Sequence, residues 1–341
     1  MNLDYDFCET FMFSRSEETL ELDQYKKIFT KQLNPNNVIH YGPFSFFMIQ
    51  KYFSEDENRM VIDSLDEDAE LQVDKQLIER NKELCHNKID DDYLKRSLIK
   101  AEFKFVIAAK EDYDKGIKCP IIAFRLIKEL KTDLYYLKKF NMIESLLVCA
   151  IELSRTDKDL RTGRDIVLKS GLGSIITYKS VQFALNNKYD YYFMRSASVP
   201  LLRVYLQWGF HLGLPFLDLD YILTDFEEFF NVGSLEKQEE HLSNIIKYQI
   251  KYKLQKSHRL CKIVFGIGKG EWEDILENKK EDAFEFESNA LKEFIVDKSS
   301  GTIAMFMDLH SFDIDTLYNY SLKKFSRYLT YNNYMSEIKE Y

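Results

Sequence analysis

Apolar positions along this chain recur with two different periods, and the changes between them divide it into short strands and helices. A short strand is expected at Met60–Ile62. From Asp66 to Cys85 the apolar residues Leu71, Val73, Leu77 and Ile78 fall at helical spacing, and a second helix is predicted over Asp91–Lys100. Phe103–Ala109 is dense in β-branched and aromatic residues and reads as a strand, with Lys118–Ile127 as its expected neighbour. An irregular connection rich in Tyr and Lys, 133–141, leads to a strand predicted over Leu146–Ser154. In strand geometry Glu144, Leu146, Val148, Ala150, Glu152 and Ser154 share one face, and Leu147, Cys149 and Ile151 the other.

The run 156–169 is charged and reads as a loop. Lys169-Ser170-Gly171-Leu172-Gly173-Ser174 then opens a helix that continues through Val181, Phe183 and Ala184, and a strand follows at Tyr189–Ser196. Pro200 starts a helix of about two turns to Trp208, and Gly209 can take the left-handed conformation that ends it. Leu201, Val204, Tyr205 and Trp208 share one face, so Tyr205 is expected to be at least partly buried. One or two closing strands are expected from Phe210 to Leu223, a charged helix over Phe226–Lys256, and strands at Cys261–Phe265 and Ile303–Leu309. Tyr41–Met48 is an aromatic cluster suited to core packing.

Composition narrows the classes. With 341 residues, 45% hydrophobic and 15% aromatic, the chain can build one large or two ordinary cores. Its net charge of −9 disfavours a general nucleic-acid binder, which needs a basic face, and leaves only a local basic patch open. Met1–Ser14 has no secretory-signal pattern, and no run approaches the roughly eighteen apolar residues of a membrane span. Five scattered cysteines, odd in number and without metal spacing, read as reduced thiols in a cytoplasmic compartment. The six histidines show no paired ligand spacing, so no metal is expected. Gly266-Ile267-Gly268-Lys269-Gly270-Glu271 departs from both nucleotide-loop patterns and reads as a turn.

Two places carry candidate chemistry. At the Gly171 turn, backbone N–H groups at a helix start can face a pyrophosphate. At the end of an apolar strand, Glu152 is costly to bury unpaired and should meet a cation, an amine or water; one such cation is Arg125.

The segment Leu201 to Phe210 looks like the last motif of the GNAT acyltransferases: an apolar pair, Tyr205, then Gly209-Phe210. The glycine turn, the helix after it, the strand and the Tyr205 helix follow the order of that superfamily's core. Phe124-Arg125-Leu126 together with Glu152-Leu153-Ser154-Arg155 resembles the acyl-homoserine-lactone and N-acyl amino acid synthases, GNAT-fold enzymes that take acyl chains from acyl carrier protein. The resemblance implies an α/β (α+β) fold with a mixed, mostly antiparallel central sheet flanked by helices. It places an N-terminal arm at 1–59, the acyltransferase domain at 60–223 and a C-terminal extension of unassigned family at 224–341.

The activity so implied is N-acyl transfer from a thioester to an amine. Tyr205 would protonate the leaving thiol, and Glu152, or else Glu144, would take the amine's proton. Lys169, Ser170, Gly171, Leu172, Gly173 and Ser174 would bind the cofactor, while Arg125, Arg155, Arg161 and Arg164 would hold substrate or carrier phosphate. The donor stays open. Gly171 and Tyr205 favour acyl-CoA; Arg125, the E-x-S-R strand end and Leu168, which stands where the superfamily has arginine or glutamine, favour acyl carrier protein. A catalytically inactive GNAT-like scaffold that binds a partner is the alternative.

Overall fold

The computed structural model describes residues 30–34, 38–41, 44–53, 60–61, 67–86, 88–109, 111–112, 117–118, 120–131, 137–151, 154–158, 165–196, 199–220, 235–265, 268–277, 295–297, 302–322 and 324. In chain order its elements are β1 (Val38–Tyr41), β2 (Phe44–Gln50), α1 (Glu67–Glu79), α2 (Asn81–Leu84), α3 (Asp91–Lys100), β3 (Phe103–Ala109), β4 (Ile121–Glu129) and β5 (Met142–Ala150). Then come β6 (Ser154–Lys158), β7 (Asp165–Lys169), α4 (Leu172–Asn186), β8 (Tyr191–Ser196), α5 (Val199–Gln207), β9 (His211–Leu214) and β10 (Leu217–Asp218). The last are α6 (Leu235–Lys256), α7 (His258–Phe265), α8 (Lys269–Glu277), β11 (Val296–Asp297) and β12 (Thr302–Asp308). The protein is mixed α/β with mostly antiparallel strand pairing. It divides into two compact units, Met1–Lys128 with Ser145–Asn187 and Asp313–Tyr341, and Glu129–Glu144 with Lys188–Phe312.

In the first unit β1, β2, β3 and β4 pair in succession, all antiparallel. β2 is buried continuously from Phe44 to Ile49, and β3 from Phe103 to Ala108. Strands covered on both faces need apolar side chains at successive positions, which is why neither alternates. Val73 and Leu77 of α1, Leu84 of α2 and Leu94 and Leu98 of α3 pack with Phe47, Ile49, Val106 and Phe124. Asp90 caps α3, its carboxylate accepting the Tyr93 amide at 2.7 Å. Between Ile107 and Ala108 the β3–β4 register shifts. There two α1-side residues four apart grip the backbone: Ile121 N donates to Gln76 Oε1 at 2.5 Å, and Arg80 Nη1 donates to Ile121 O at 2.6 Å. The side chains supply hydrogen bonds where the ladder is irregular.

The second unit is organised on β12. It pairs with β8, Tyr191 opposite Asp308 through Ser196 opposite Ile303, and also with β9 and β11. α5 lies between β8 and β9 in sequence and ends as a Schellman turn. The Phe210 amide donates to Tyr205 O at 3.0 Å and the Gly209 amide to Leu206 O at 2.9 Å, with Gly209 at φ +88°. α6 buries Ile246, Ile250 and Leu254, one residue per turn.

Several expectations are met: α3, β3, the pairing of β4 with β3, the glycine-headed α4, β8, α5 ended by Gly209, the closing strands β9 and β10, and β12. Others need correction. The short strand expected at Met60–Ile62 is present as Met60–Val61, paired with Tyr52–Phe53 in a separate ladder, while the aromatic cluster, read as core packing, supplies β2, which pairs with β3. The helix expected over 66–85 breaks at Arg80. The strand expected to reach Ser154 ends at Ala150, and the charged stretch expected as a loop contributes β6 and β7, paired from Ser154–Lys169 to Lys158–Asp165. Cys261–Phe265, read as a strand from its β-branched residues, lies in helix α7, because tertiary context overrides so weak a preference.

The cysteines are not all reduced: Cys85 and Cys149 form a disulfide, with Cα atoms 5.1 Å apart. The C-terminal end of α2 brings Cys85 against β5, a proximity that sequence spacing does not encode. Among the described residues no helix is long and apolar enough to cross a membrane.

The bond closes a long loop, with a sequence separation of 64. Reduction by dithiothreitol should therefore lower stability by about 2–4 kcal/mol, a fall in Tm of roughly 5–10 °C by scanning calorimetry. At Gly209 a Cβ would lie 2.2 Å from the Phe312 ring on a left-handed backbone. Gly209→Ala should cost about 2–4 kcal/mol in urea unfolding, whereas Gly270→Ala, with nothing within 4 Å, should change stability by less than about 1 kcal/mol.

Candidate functional site

The glycine turn sits at the head of α4, a helix buried along most of its length. Gly171 occupies the N-cap position at φ +70°, and its carbonyl accepts the amides of Ser174 at 2.9 Å and Ile175 at 3.1 Å. The Ser174 hydroxyl donates to the same carbonyl at 2.8 Å, so this serine is buried and engaged in the turn itself. Leu172 and Gly173 hold the remaining first-turn amides, the ones an anion at this helix end would meet. Ser170 is buried. Lys169 ends β7, and its side chain lies outside what is described.

Lys324 is a neighbour that sequence reading missed. A Cβ on Gly171 would lie 3.1 Å from Lys324 Cβ and 3.4 Å from its Cδ, so the aliphatic stem covers the glycine. The ammonium donates to the Tyr320 hydroxyl and lies 4.3 Å from that ring's centroid. No motif links positions 171 and 324. Only the fold brings Lys324 to the turn.

Farther along α4, Thr177 accepts from Arg125 Nη1, while Arg125 Nε donates to Ser145 Oγ at 3.0 Å. Arg125 is 0% exposed and ties β4 to β5 and to α4. In this arrangement the guanidinium braces the helix. Its expected partner Glu152 lies outside the described residues, as do Arg161 and Arg164; Arg155 stands on β6, where its side chain is not described.

Two further α4 groups have shifted protonation. Burial, with Tyr318 and Asp315 adding negative potential, pushes the Tyr178 hydroxyl well above the usual phenol range. Burial lowers Lys179 to about 7; its ammonium donates to Lys31 O at 2.5 Å.

In the second unit Tyr205 is 6% exposed, with its ring 5.3 Å from Trp208 and 6.4 Å from Phe210. Phe210 in turn packs against Tyr192 at 5.7 Å. The burial expected from helical spacing is found. Trp208 is also buried, and its indole N–H has no acceptor among the described residues. Glu144 lies mostly buried on β5 with its carboxylate 3.7 Å from Arg195 Nε of β8. Sequence reading did not single out Arg195, whose position opposite Ala304 depends on a strand more than a hundred residues downstream.

His211, Asp218 and Asp220 offer ligand atoms within 4.8 Å of one another. Their hydrogen bonds are already internal: His211 Nδ1 lies 2.7 Å from Asp220 Oδ2, the Leu212 amide donates to Asp220 Oδ1 at 2.6 Å, and the Asp220 amide donates to Asp218 Oδ1 at 2.9 Å. The hydrogen bond to Asp220 raises the His211 pKa above its ordinary value, against the opposing effect of burial. The group locks β9 to the turn after β10, and no metal is assigned to it.

Searches against protein-family models and against curated proteins return no match to the chain.

Lys179 gives a pH test with a defined sign. Its folded pKa, about 7, lies below the unfolded value of roughly 10.4, so the unfolded chain binds more protons between them and stability rises with pH across that window. Urea unfolding between pH 6 and pH 10 should show this rise in the native protein. Lys179→Met should abolish that increment; a parallel rise in the variant would assign it to other groups.

Proposed function

We propose that this chain is a GNAT-type N-acyltransferase, moving an acyl group from acyl-CoA or from the phosphopantetheine of acyl carrier protein to an amine. The observation that carries the reading is the order of elements. The Gly171 turn with α4, strand β8, the Tyr205 helix closed by Gly209, and strand β9 follow one another in the order on which the sequence resemblance rests. A local feature adds support. The buried Trp208 N–H, three residues after Tyr205, is a donor that a bound ligand would satisfy.

In the proposed reaction the amine nitrogen attacks the thioester carbonyl, a tetrahedral intermediate forms, the C–S bond breaks, and an amide and a thiol result. An amine of pKa near 10.4 is mostly protonated at neutral pH, a handicap of roughly 4–5 kcal/mol, so a base is required. Glu152 is the first candidate base. Glu144 is the second, its carboxylate 3.7 Å from Arg195 Nε. Tyr205 donates a proton to the departing sulfur. The amides of Leu172 and Gly173 receive phosphate oxygens, with Lys324 and Lys169 as nearby cations, and Arg155, Arg161 and Arg164 are reserved for a carrier.

The scaffold reading draws on a different observation: the Lys324 stem against Gly171, which narrows access to the turn. Thermal denaturation with CoA, acetyl-CoA and a long-chain acyl-CoA separates the two. A ligand at one hundred times its Kd should stabilise the protein by about 2.7 kcal/mol, graded by acyl length if the chain is also bound. No stabilisation by any of them, with no transfer from acyl carrier protein, leaves the scaffold. If Tyr205 is the acid, Tyr205→Phe should reduce kcat about a hundredfold with Tm nearly unchanged; unaltered kcat would remove Tyr205 from the mechanism.

A further inference from the structure

The surface of α6 carries a feature that the acyltransferase reading does not use. Its buried side is Ile246, Ile250 and Leu254; two residues on from each stand Tyr248, Tyr252 and Lys256, on the opposite side of the helix. Tyr248 is 66% exposed and Tyr252 49%. Among the described residues the other large hydrophobic left exposed is Ile99, in the other unit. The two rings are one helical turn apart, about 6 Å along the axis. Lys256 Nζ lies 5.9 Å from the Tyr252 ring centroid, a cation already held over an aromatic face.

The charge within the stretch that carries these rings is of one sign. Although the chain carries −9 overall, no Asp or Glu occurs from His241 to Gly270, while Lys247, Lys251, Lys253, Lys256, Arg259, Lys262 and Lys269 do. Lys253 turns inward to Asp218 O at 2.8 Å, but Lys256, Arg259 and Lys262 are exposed. The sequence Lys247-Tyr248 repeats one turn later as Lys251-Tyr252, so cation and ring alternate with a fixed period.

We propose that the outer face of α6, continued by Arg259 and Lys262, binds single-stranded nucleic acid without sequence preference. A polymer that carries phosphates beside flat bases matches a helix that sets two exposed rings beside exposed cations. A folded acidic protein supplies no row of flat bases to stack on two rings one helical turn apart. A bilayer surface calls for Leu, Phe or Trp anchors on the outer face, and the exposed aromatics here keep a hydroxyl. The inference is independent of the thioester chemistry and agrees with an overall acidic chain, since the basic character is local.

Fluorescence anisotropy of the full chain with labelled single-stranded oligo-dT and oligo-U tests it, with duplex DNA and phosphatidylserine vesicles as controls. The expected result is binding of the single strands in about the 10⁻⁴–10⁻⁶ M range, with log K falling against log salt at a slope of about −2 if three cations each neutralise a phosphate. Tyr248→Ala with Tyr252→Ala should weaken binding at least about tenfold and leave the salt slope unchanged, whereas Tyr→Phe at both positions should retain it. Lys256→Gln with Arg259→Gln should flatten the slope to about −0.7. Equal Tm values would show that all these surface variants stay folded. Absence of binding, binding unaffected by loss of both rings, preference for duplex, or binding to vesicles alone would each overturn the proposal.

Discussion

A cation taken out of water must find an oxygen, and in the first unit this requirement ties the helices to the strands. Lys104 of β3 is 0% exposed, and Asp74 of α1 holds its ammonium at 2.5 and 2.7 Å. Arg80, just after α1, reaches the first carbonyl of β4. Arg125 of β4 joins Ser145 and Thr177. Lys51 donates to Leu98 O at 3.2 Å at the end of α3, and Lys179 of α4 donates to Lys31 O. Such pairs add little net stability over apolar packing, because desolvation offsets most of the Coulombic gain. Losing one partner of the Lys104–Asp74 ion pair costs about 3–5 kcal/mol, and leaving a buried donor of the others unmet costs at least about 1–3 kcal/mol, so each contact penalises a helix that docks elsewhere. The buried cations thus act mainly on position, and α4, which carries the glycine turn, is held by two of them.

In the second unit the corresponding constraint is aromatic. Tyr205, Trp208, Phe210 and Tyr192 form a chain of ring contacts around the end of α5. Only a left-handed residue without Cβ fits between that helix end and the Phe312 ring, so Gly209 fixes both the turn and the direction in which the chain enters β9. A tyrosine held this way has little freedom to reorient. Pre-organisation of that kind suits a group meant to meet one reacting atom, and it also suits a plain core tyrosine.

Much of the fold could be read from the chain. α3 declares itself through Asp90 and the spacing of Leu94 and Leu98; β3 through an unbroken apolar run; α5 through Pro200, its apolar face and Gly209. The misreadings have a common cause. Cys261–Phe265 has strand-like residues but lies in a helix, and the Tyr41–Met48 cluster supplies a strand buried on both faces, because burial and not local preference decides short apolar segments. Of the candidate site, Tyr205 and the Gly171 turn were legible from punctuation by glycine. Lys324, Arg195 and the Cys85–Cys149 bond were not, since each depends on a partner far away in sequence.

By itself, then, the sequence determined the local elements, the left-handed glycines and the burial of Tyr205, because backbone sterics and apolar periodicity act within a few residues. The tertiary structure decided which residues meet. It enclosed Arg125 beneath α4, joined two cysteines, and set β12 between β8 and β9. These outcomes depend on satisfying buried polar groups across the whole fold, and no local pattern carries that information.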